Sequence, residues 1–294
     1  MKTFSKSKSL RYAGNRVKLF SIPEFLTFTI REFNLDSVNL ICKINNKFSN
    51  HIVAIRSSAK DEDTKNNSAA GEYESVLNIP SDNTERIIES INIVIASYEK
   101  KRQLLSDDEV IIQEMVKNPT MSGVIFTHDL NTGAPYYVIN YDDQSGTTDT
   151  VTSGNGEYAN RTLYIHRNSI GKLRSERFIK LLQAVQELEQ VMNSKFLDIE
   201  FALGKDLTPY LLQVRAITTQ PNWNRVIVNK IDTTLQVVQS FIADRFKKID
   251  KVYGETTVLG QMPDWNPVEM IGRSPRALAT SLYQILITDN VWSR

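Results

Sequence analysis

The chain has 294 residues, and 35 Lys and Arg against 34 Asp and Glu leave a net charge of +1. Hydrophobic residues at 41 % and charged residues at 23 % are ordinary globular values, which excludes disordered, collagen-like and coiled-coil classes and allows a sizeable core. The balanced charge excludes a chain-wide nucleic-acid footprint, the single Cys42 excludes an internal disulfide, and no apolar run approaches the roughly 18 residues of a membrane helix.

The first 20 residues carry Lys2, Lys6, Lys8, Arg11, Arg16 and Lys18, and the first acid is Glu24. Two readings are open: a solvated or frayed terminus, or a lysine-bearing loop that meets an anion. Residues 22–33 read as a strand entering a helix, and residues 51–58 as a strand ending in a polar turn. Residues 59–72 read as a loop. Over residues 84–104, Ile87, Ile91, Val94, Ile95 and Tyr98 keep a 3.6-residue period, with Asn83 or Ser81 as cap. Residues 109–116, 122–127, 136–141 and 161–166 are predicted strands, separated by turn chemistry such as Asn131-Thr132-Gly133 and Ser153-Gly154-Asn155-Gly156. A second helix is predicted over 175–193, capped by Ser175, with Phe178, Leu181, Leu182, Val185, Leu188 and Met192 as its stripe. Residues 196–203 and 210–217 alternate and form a predicted hairpin. Beyond Pro221 the character changes to helix over 231–253, a Pro-bearing stretch over 260–275, and helix again at the end. The expected fold class is α+β, with one domain over 1–220 and a mostly helical segment over 221–294.

The hairpin carries the most chemistry. Side chains alternate along a strand, so Asp198 and Glu200 share one face while Ile199 and Phe201 share the other. With Glu200 across from Gln213, Asp198 faces Arg215 and four polar groups meet on one side of the sheet. A carboxylate and an amide oxygen suit Mg²⁺, and an arginine fork suits phosphate. The competing interpretation is an ordinary surface pair of Asp198 with Arg215. Arg56-Ser57-Ser58 at a strand end is a second candidate phosphate grip, and a surface turn is its alternative. No GxxxxGK[ST], GxGxxG or GxSxG motif is present, and His51, His128 and His166 are isolated residues of strand ends or surface rather than ligands or bases.

Several ordered blocks resemble a known family. They are Ile55-Arg56-Ser57-Ser58-Ala59, Glu62-Asp63, and the run from Ser68 to Asn78. Then follow Ile112-Gln113-Glu114-Met115-Val116, Ser122 to Thr127, Leu197 to Phe201, and Leu212 to Thr218. Over about residues 5–220 the chain resembles the nucleotide-binding domain of the phosphoenolpyruvate synthase / pyruvate phosphate dikinase family. The resemblance implies a two-lobed ATP-grasp fold that closes on Mg·ATP. It implies that the ATP β-phosphate goes to a histidine on a separate domain, in cis or in trans. AMP and phosphate are released, and the phosphohistidine then serves a small-molecule acceptor. Carried onto this sequence, Arg56 contacts the phosphates, Glu200 and Gln213 serve Mg²⁺ and the nucleotide, Arg215 stabilises transferring charge, and Asp198 supports the cluster. Gln113, Glu114 and Val116 match the adenine-lining segment. The family's early lysine matches Lys6, with Lys8 as rival, and the glycine of that turn is missing here.

The resemblance also implies what lies outside the chain. The Gly/Thr-rich phosphohistidine loop is absent, as is the barrel for phosphoenolpyruvate or pyruvate, and residues 261–292 resemble the start of a connecting region in a subgroup related to L-glutamine kinase. The expectation is therefore the N-terminal part of a longer cytoplasmic enzyme, incomplete on its own, with pyruvate or a glutamine amide as final acceptor. Neither nucleic acid nor membrane is an expected partner. A non-catalytic binding relic and an ATP-grasp ligase remain the alternatives.

Overall fold

Period-2 runs and 3.6-period runs alternate along the chain, and the computed structural model turns each into a strand or a helix. It describes residues 5–59, 63–64, 67–68, 73–101, 104–148, 161–217, 226–251, 253–256 and 267–292. The chain divides into two units, Met1–Asn229 and Lys230–Arg294.

The first unit begins with α1 (Lys6–Gly14), then β1 (Phe25–Thr29), α2 (Ile30–Leu35), α3 (Ser37–Lys47) and β2 (Ile52–Ser58). The ribbon strands β3 (Asp63–Thr64) and β4 (Asn67–Ser68) follow, then β5 (Ser75–Pro80), α4 (Thr84–Glu99) and β6 (Glu109–Glu114). Next come β7 (Met121–Phe126), β8 (Tyr136–Asp142), β9 (Arg161–His166), a 3₁₀ turn (Arg167–Lys172) and α5 (Glu176–Val191). The hairpin β10 (Leu197–Leu203) and β11 (Pro209–Ala216) closes the set. One four-stranded sheet runs β1-β6-β2-β5, a five-stranded sheet runs β11-β10-β7-β8-β9, and all their pairings are antiparallel. The fold is α+β, as predicted, and its two sheets supply the two lobes that the resemblance implies.

Each sheet buries one face against helices. Val53 and Ile55 of β2 and Val110 and Ile112 of β6 pack with Ile87, Ile91, Val94 and Tyr98 of α4. Ile125, Ile139, Ile199 and Val214 of the second sheet pack with Leu181, Val185 and Leu188 of α5, and Leu10 and Ala13 of α1 join them. Burial of such side chains contributes roughly 1.5–3 kcal/mol each. Alternation then leaves the opposite faces for polar groups. Gly123 sits in β7 because a Cβ there would lie 2.0 Å from the Asn140 carbonyl oxygen and 2.8 Å from Tyr141 Cα.

Several expectations are corrected. The basic terminus is neither loop nor frayed from Lys6 onward: it is helix α1 with Ser7, Ser9, Leu10 and Ala13 buried. The residues 59–72 include a short ribbon, β3–β4. Helix α4 ends at Glu99 rather than 104, and Asn83 caps it by accepting from Arg86 N–H at 3.0 Å. Ser175 occupies the cap of α5 without a side-chain hydrogen bond. A bulge between Glu200 and Phe201 shifts the β10–β11 register, so Phe201 opposes Leu211. Residues 60–62, 65–66 and 69–72 of the family blocks, the 153–156 turn and residues 261–266 lie outside the described residues.

The second sheet is pinned to α5 by a buried polar group that the sequence reading did not find. Arg167 donates two bonds of 2.7 Å to the Glu189 carboxylate and one of 3.0 Å to the Thr127 carbonyl. The Tyr137 hydroxyl donates to Glu189 at 3.1 Å, and the Arg167 guanidinium lies 4.5 Å from the Tyr137 ring centre. Burial, then the Glu189 charge, pushes the Tyr137 hydroxyl pKa up.

His128, expected at a strand end or surface, is 7 % exposed and packs 4.6 Å from the Phe196 ring. Burial, reinforced by the Arg167 charge, pushes its pKa down to about 4. Between the usual imidazole range and about pH 4 the unfolded chain binds the proton and the folded one does not. Stability is therefore expected to fall as pH is lowered through that window, by on the order of 2–3 kcal/mol from this residue. Thermal melts of wild type and His128→Asn at pH 7.5 and 5 check this. The wild type should lose more between the two pH values.

The second unit holds most of helix α6 (Ile227–Arg245), then α7 (Pro267–Ile271), α8 (Ala277–Tyr283) and a π-helical stretch (Gln284–Trp292). None of the side chains described in α6 is buried. Among the described residues no helix is long and apolar enough to cross a membrane.

Candidate functional site

The site starts with the second sheet. In the β10–β11 hairpin Glu200 pairs with Gln213 and Asp198 with Arg215, the register supposed from the sequence. Their apolar neighbours Ile199 and Val214 are held in the core, which forces the polar set to the other face. Asp198 accepts from Arg215 Nε at 2.6 Å, and the two side chains are 9 % and 12 % exposed. This is no solvated surface pair: a short charge-assisted bond in a mostly dehydrated place fixes the guanidinium. Gln213 is buried beside it.

The first sheet supplies the facing wall. Ala54, Arg56 and Ser58 of β2 pair with Gln113, Ile111 and Glu109 of β6 and so share one face with them. Phe25 and Thr27 of β1 pair with Gln113 and Ile111 and extend that face. From it Arg56 Nη1 donates to Glu200 Oε2 at 3.0 Å, linking the two sheets. Gln113, 2 % exposed, donates from Nε2 to the Leu212 carbonyl of β11 at 3.4 Å. Two polar atoms on this wall, Arg56 Nε and Thr27 Oγ1, are buried without a hydrogen-bond partner. Such groups cost free energy and mark places where a polar ligand has something to satisfy.

Lys6 is the first residue of α1, and its Nζ donates to Ser57 Oγ at 3.4 Å, one residue from Arg56. Lys8, its rival in the sequence, is exposed. Glu114 and Val116 lie at the end of β6, where they line a cleft of about 520 Å³ with residues 21–24 and the β10–β11 turn. Glu114 N–H donates to the Glu24 carbonyl at 2.8 Å, and its carboxylate pairs with His51 Nδ1 at 3.1 Å.

The structure thus brings Arg56, Asp198, Glu200, Gln213 and Arg215 together between the sheets, with Gln113 at the wall, Lys6 at its edge and Glu114 and Val116 in the adjoining cleft. The sequence reading missed Glu109 and Ser7. Their only signal was that Glu109 opens the strand Glu109–Glu114, and that serines flank Lys6. Chemically, the pocket offers fixed cations for a polyphosphate and a carboxylate opposite an amide for a hard cation. Among the described residues no cluster of three or more His, Cys, Asp or Glu could by itself hold a metal.

Residues 10–142 match the family described as pyruvate phosphate dikinase, AMP/ATP-binding domain. The prodigiosin synthesizing transferase PigC of Serratia marcescens is 28 % identical over 208 residues, which cover 57 % of this chain and 23 % of that protein. The chain therefore spans under a quarter of that relative's length. Among solved structures, the D-alanyl-alanine synthetase A of Vibrio cholerae superposes with a TM-score of 0.43 at 14 % identity, covering 82 % of this chain and 65 % of that one. The VanG D-Ala:D-Ser ligase of Enterococcus faecalis gives a TM-score of 0.41 at 11 % identity, covering 77 % and 56 %.

Proposed function

With residues 10–142 belonging to the pyruvate phosphate dikinase AMP/ATP-binding domain family, we propose that this chain is the nucleotide-binding module of a phosphotransferase that passes the β-phosphate of Mg·ATP to a histidine on a separate domain. The observation that supports it most is the facing of Arg56 and Glu200 across the two sheets at 3.0 Å, beside the Asp198–Arg215 pair.

Each residue has a part in this reading. Arg56 and Lys6 bind the phosphate chain. Arg56 fits because its Nε is a buried donor awaiting an acceptor. Glu200 and Gln213, directly opposite in register, would hold Mg²⁺ through oxygen. When bound, that ion neutralises charge on the phosphates. Asp198 orients Arg215 toward the transferring group. Gln113, Glu114 and Val116 line the base pocket, and residues 21–24 close its side. Catalysis is then positioning and charge stabilisation, with no covalent step on these side chains. The acceptor histidine attacks the β-phosphorus as the α–β bond to AMP breaks, which leaves a pyrophosphoryl group on the histidine. Water then attacks the γ-phosphorus, the β–γ bond breaks, phosphate is released, and the remaining phosphohistidine serves a small acceptor such as pyruvate or a glutamine amide.

Calorimetric titration of the chain with Mg·ATP is expected to give saturable one-site binding. With the histidine-bearing domain supplied, AMP should accumulate. ADP in its place would indicate an ATP-grasp ligase or simple kinase. No binding by a chain folded by circular dichroism would refute the proposal.

A further inference from the structure

The start of α1 is tied down by a chain of buried hydrogen bonds. Ser7 donates its backbone N–H to Ser58 Oγ at 3.1 Å and its hydroxyl to Glu109 Oε2. Ser58 N–H donates to the Tyr98 hydroxyl at 2.8 Å, and that hydroxyl donates to the Glu109 carbonyl at 2.8 Å. Ser7, Ser58 and Tyr98 are fully buried. Two strands therefore converge on one residue of α1, β2 through Ser58 and β6 through Glu109, and α4 braces the backbones of those two residues through Tyr98. Ser58 and Glu109 are register partners, so their side chains reach the helix from adjacent strands on one face.

That residue is the neighbour of Lys6. A lysine is a point charge on a flexible four-carbon stem, and ordering it costs side-chain entropy. Its placement on a phosphate depends on how firmly its own backbone is held. Here no glycine turn does this: Ser5 and Ser7 flank Lys6. The carboxylate of Glu109 is the one charged anchor in the chain of bonds, and charge-assisted bonds are about twice as strong as neutral ones. It also lies at the helix N-terminus, where an anion is favoured.

We infer that Glu109 is a positioning residue for Lys6: by holding Ser7 against β2 and β6 it fixes the first turn of α1, and so holds the ammonium at Ser57, at the end of the strand that carries Arg56. This rests on the proposed Mg·ATP site. Glu109 itself touches no substrate and acts through Ser7.

The test is titration with two probes, Mg·ATP and adenosine, since only the first carries phosphates for Lys6 to meet. Glu109→Ala should weaken Mg·ATP about tenfold, the loss of one charge-assisted contact, and leave adenosine unchanged. Glu109→Gln keeps an acceptor oxygen for Ser7 and should recover most of the affinity. In a Lys6→Met background, Glu109→Ala should cost nothing further. A merely structural role would weaken both probes alike and add to the Lys6→Met loss, and either result overturns the inference, as does wild-type affinity in Glu109→Ala. If Glu109→Ala does not fold, Ser7→Ala removes only the hydroxyl and is read by the same criteria. Mg·ATP binding by wild type, lost in Glu200→Ala, shows that the nucleotide reading stands, and the Glu109 series then decides alone. No binding by wild type overturns the nucleotide reading and the inference together.

Discussion

Glu200→Ala is expected to weaken Mg·ATP binding by about 10- to 100-fold, the loss of a charged contact worth roughly 1.5–3 kcal/mol, and to stop phosphoryl transfer while the fold persists. The fold should persist because β10 buries Leu197, Ile199, Phe201 and Leu203 on its core side, and Glu200 contributes nothing to that packing. The site should fail for two reasons. In the proposed site the carboxylate would be the hard anionic ligand for Mg²⁺, opposite Gln213 in register. It is also the partner of Arg56, which is 13 % exposed and already has an unpartnered Nε, so removal leaves a guanidinium with fewer acceptors. Glu200→Gln separates these effects, since it keeps an acceptor for Arg56 but removes the charge. Titration calorimetry on both variants, with melting curves as the folding control, measures the outcome. Wild-type affinity in both would remove Glu200 from the site.

Glu189→Ala is expected to cost about 3–5 kcal/mol, because it strands a buried guanidinium. Arg167 loses both 2.7 Å bonds to the carboxylate, and the Tyr137 hydroxyl loses the acceptor at 3.1 Å. Burial pulls the Arg167 pKa down, but the Glu189 pair more than offsets this. Replacing both partners, as in Arg167→Met with Glu189→Leu, should cost far less than either single loss, since desolvation is then removed with the attraction. Urea denaturation reads both. A shift below about 1 kcal/mol in Glu189→Ala would show that the pair behaves as a surface pair.

These two sites differ in how visible they were in the sequence. Glu200 was legible because a hairpin is local: seven-residue β10 and eight-residue β11 are joined by a short turn, and a one-residue slip would bury Asp198 and Glu200 in place of Ile199. The Arg167–Glu189 pair was not legible. Arg167 follows β9 and Glu189 sits on the core side of α5, where a glutamate reads as an ordinary polar break in the stripe. His128 likewise gave no sign of burial. It becomes buried only because Phe196 and the Lys195 carbonyl, which lies 3.0 Å from its Nδ1, close over it.

The sequence by itself determined the elements whose signals are periodic and local: the strand alternation, the α4 and α5 stripes, and which face of the hairpin carries Asp198, Glu200, Gln213 and Arg215; between Asn83 and Ser81 as the α4 cap the structure chose Asn83. The ordered blocks around them also carried the family resemblance, and residues 10–142 match that family's AMP/ATP-binding domain. Only the tertiary structure decided what those faces meet. Arg56 and Glu200 are 144 positions apart, and Ser7 and Glu109 are 102 apart. No spacing rule links such residues, because their contact depends on how two sheets and a helix pack. The same packing turned the basic N-terminus into a helix. Leu10 and Ala13 gain a core only when the second sheet is present to bury them. Periodicity reports which side of an element is apolar, and burial of that side then carries the polar residues to partners that no local pattern names.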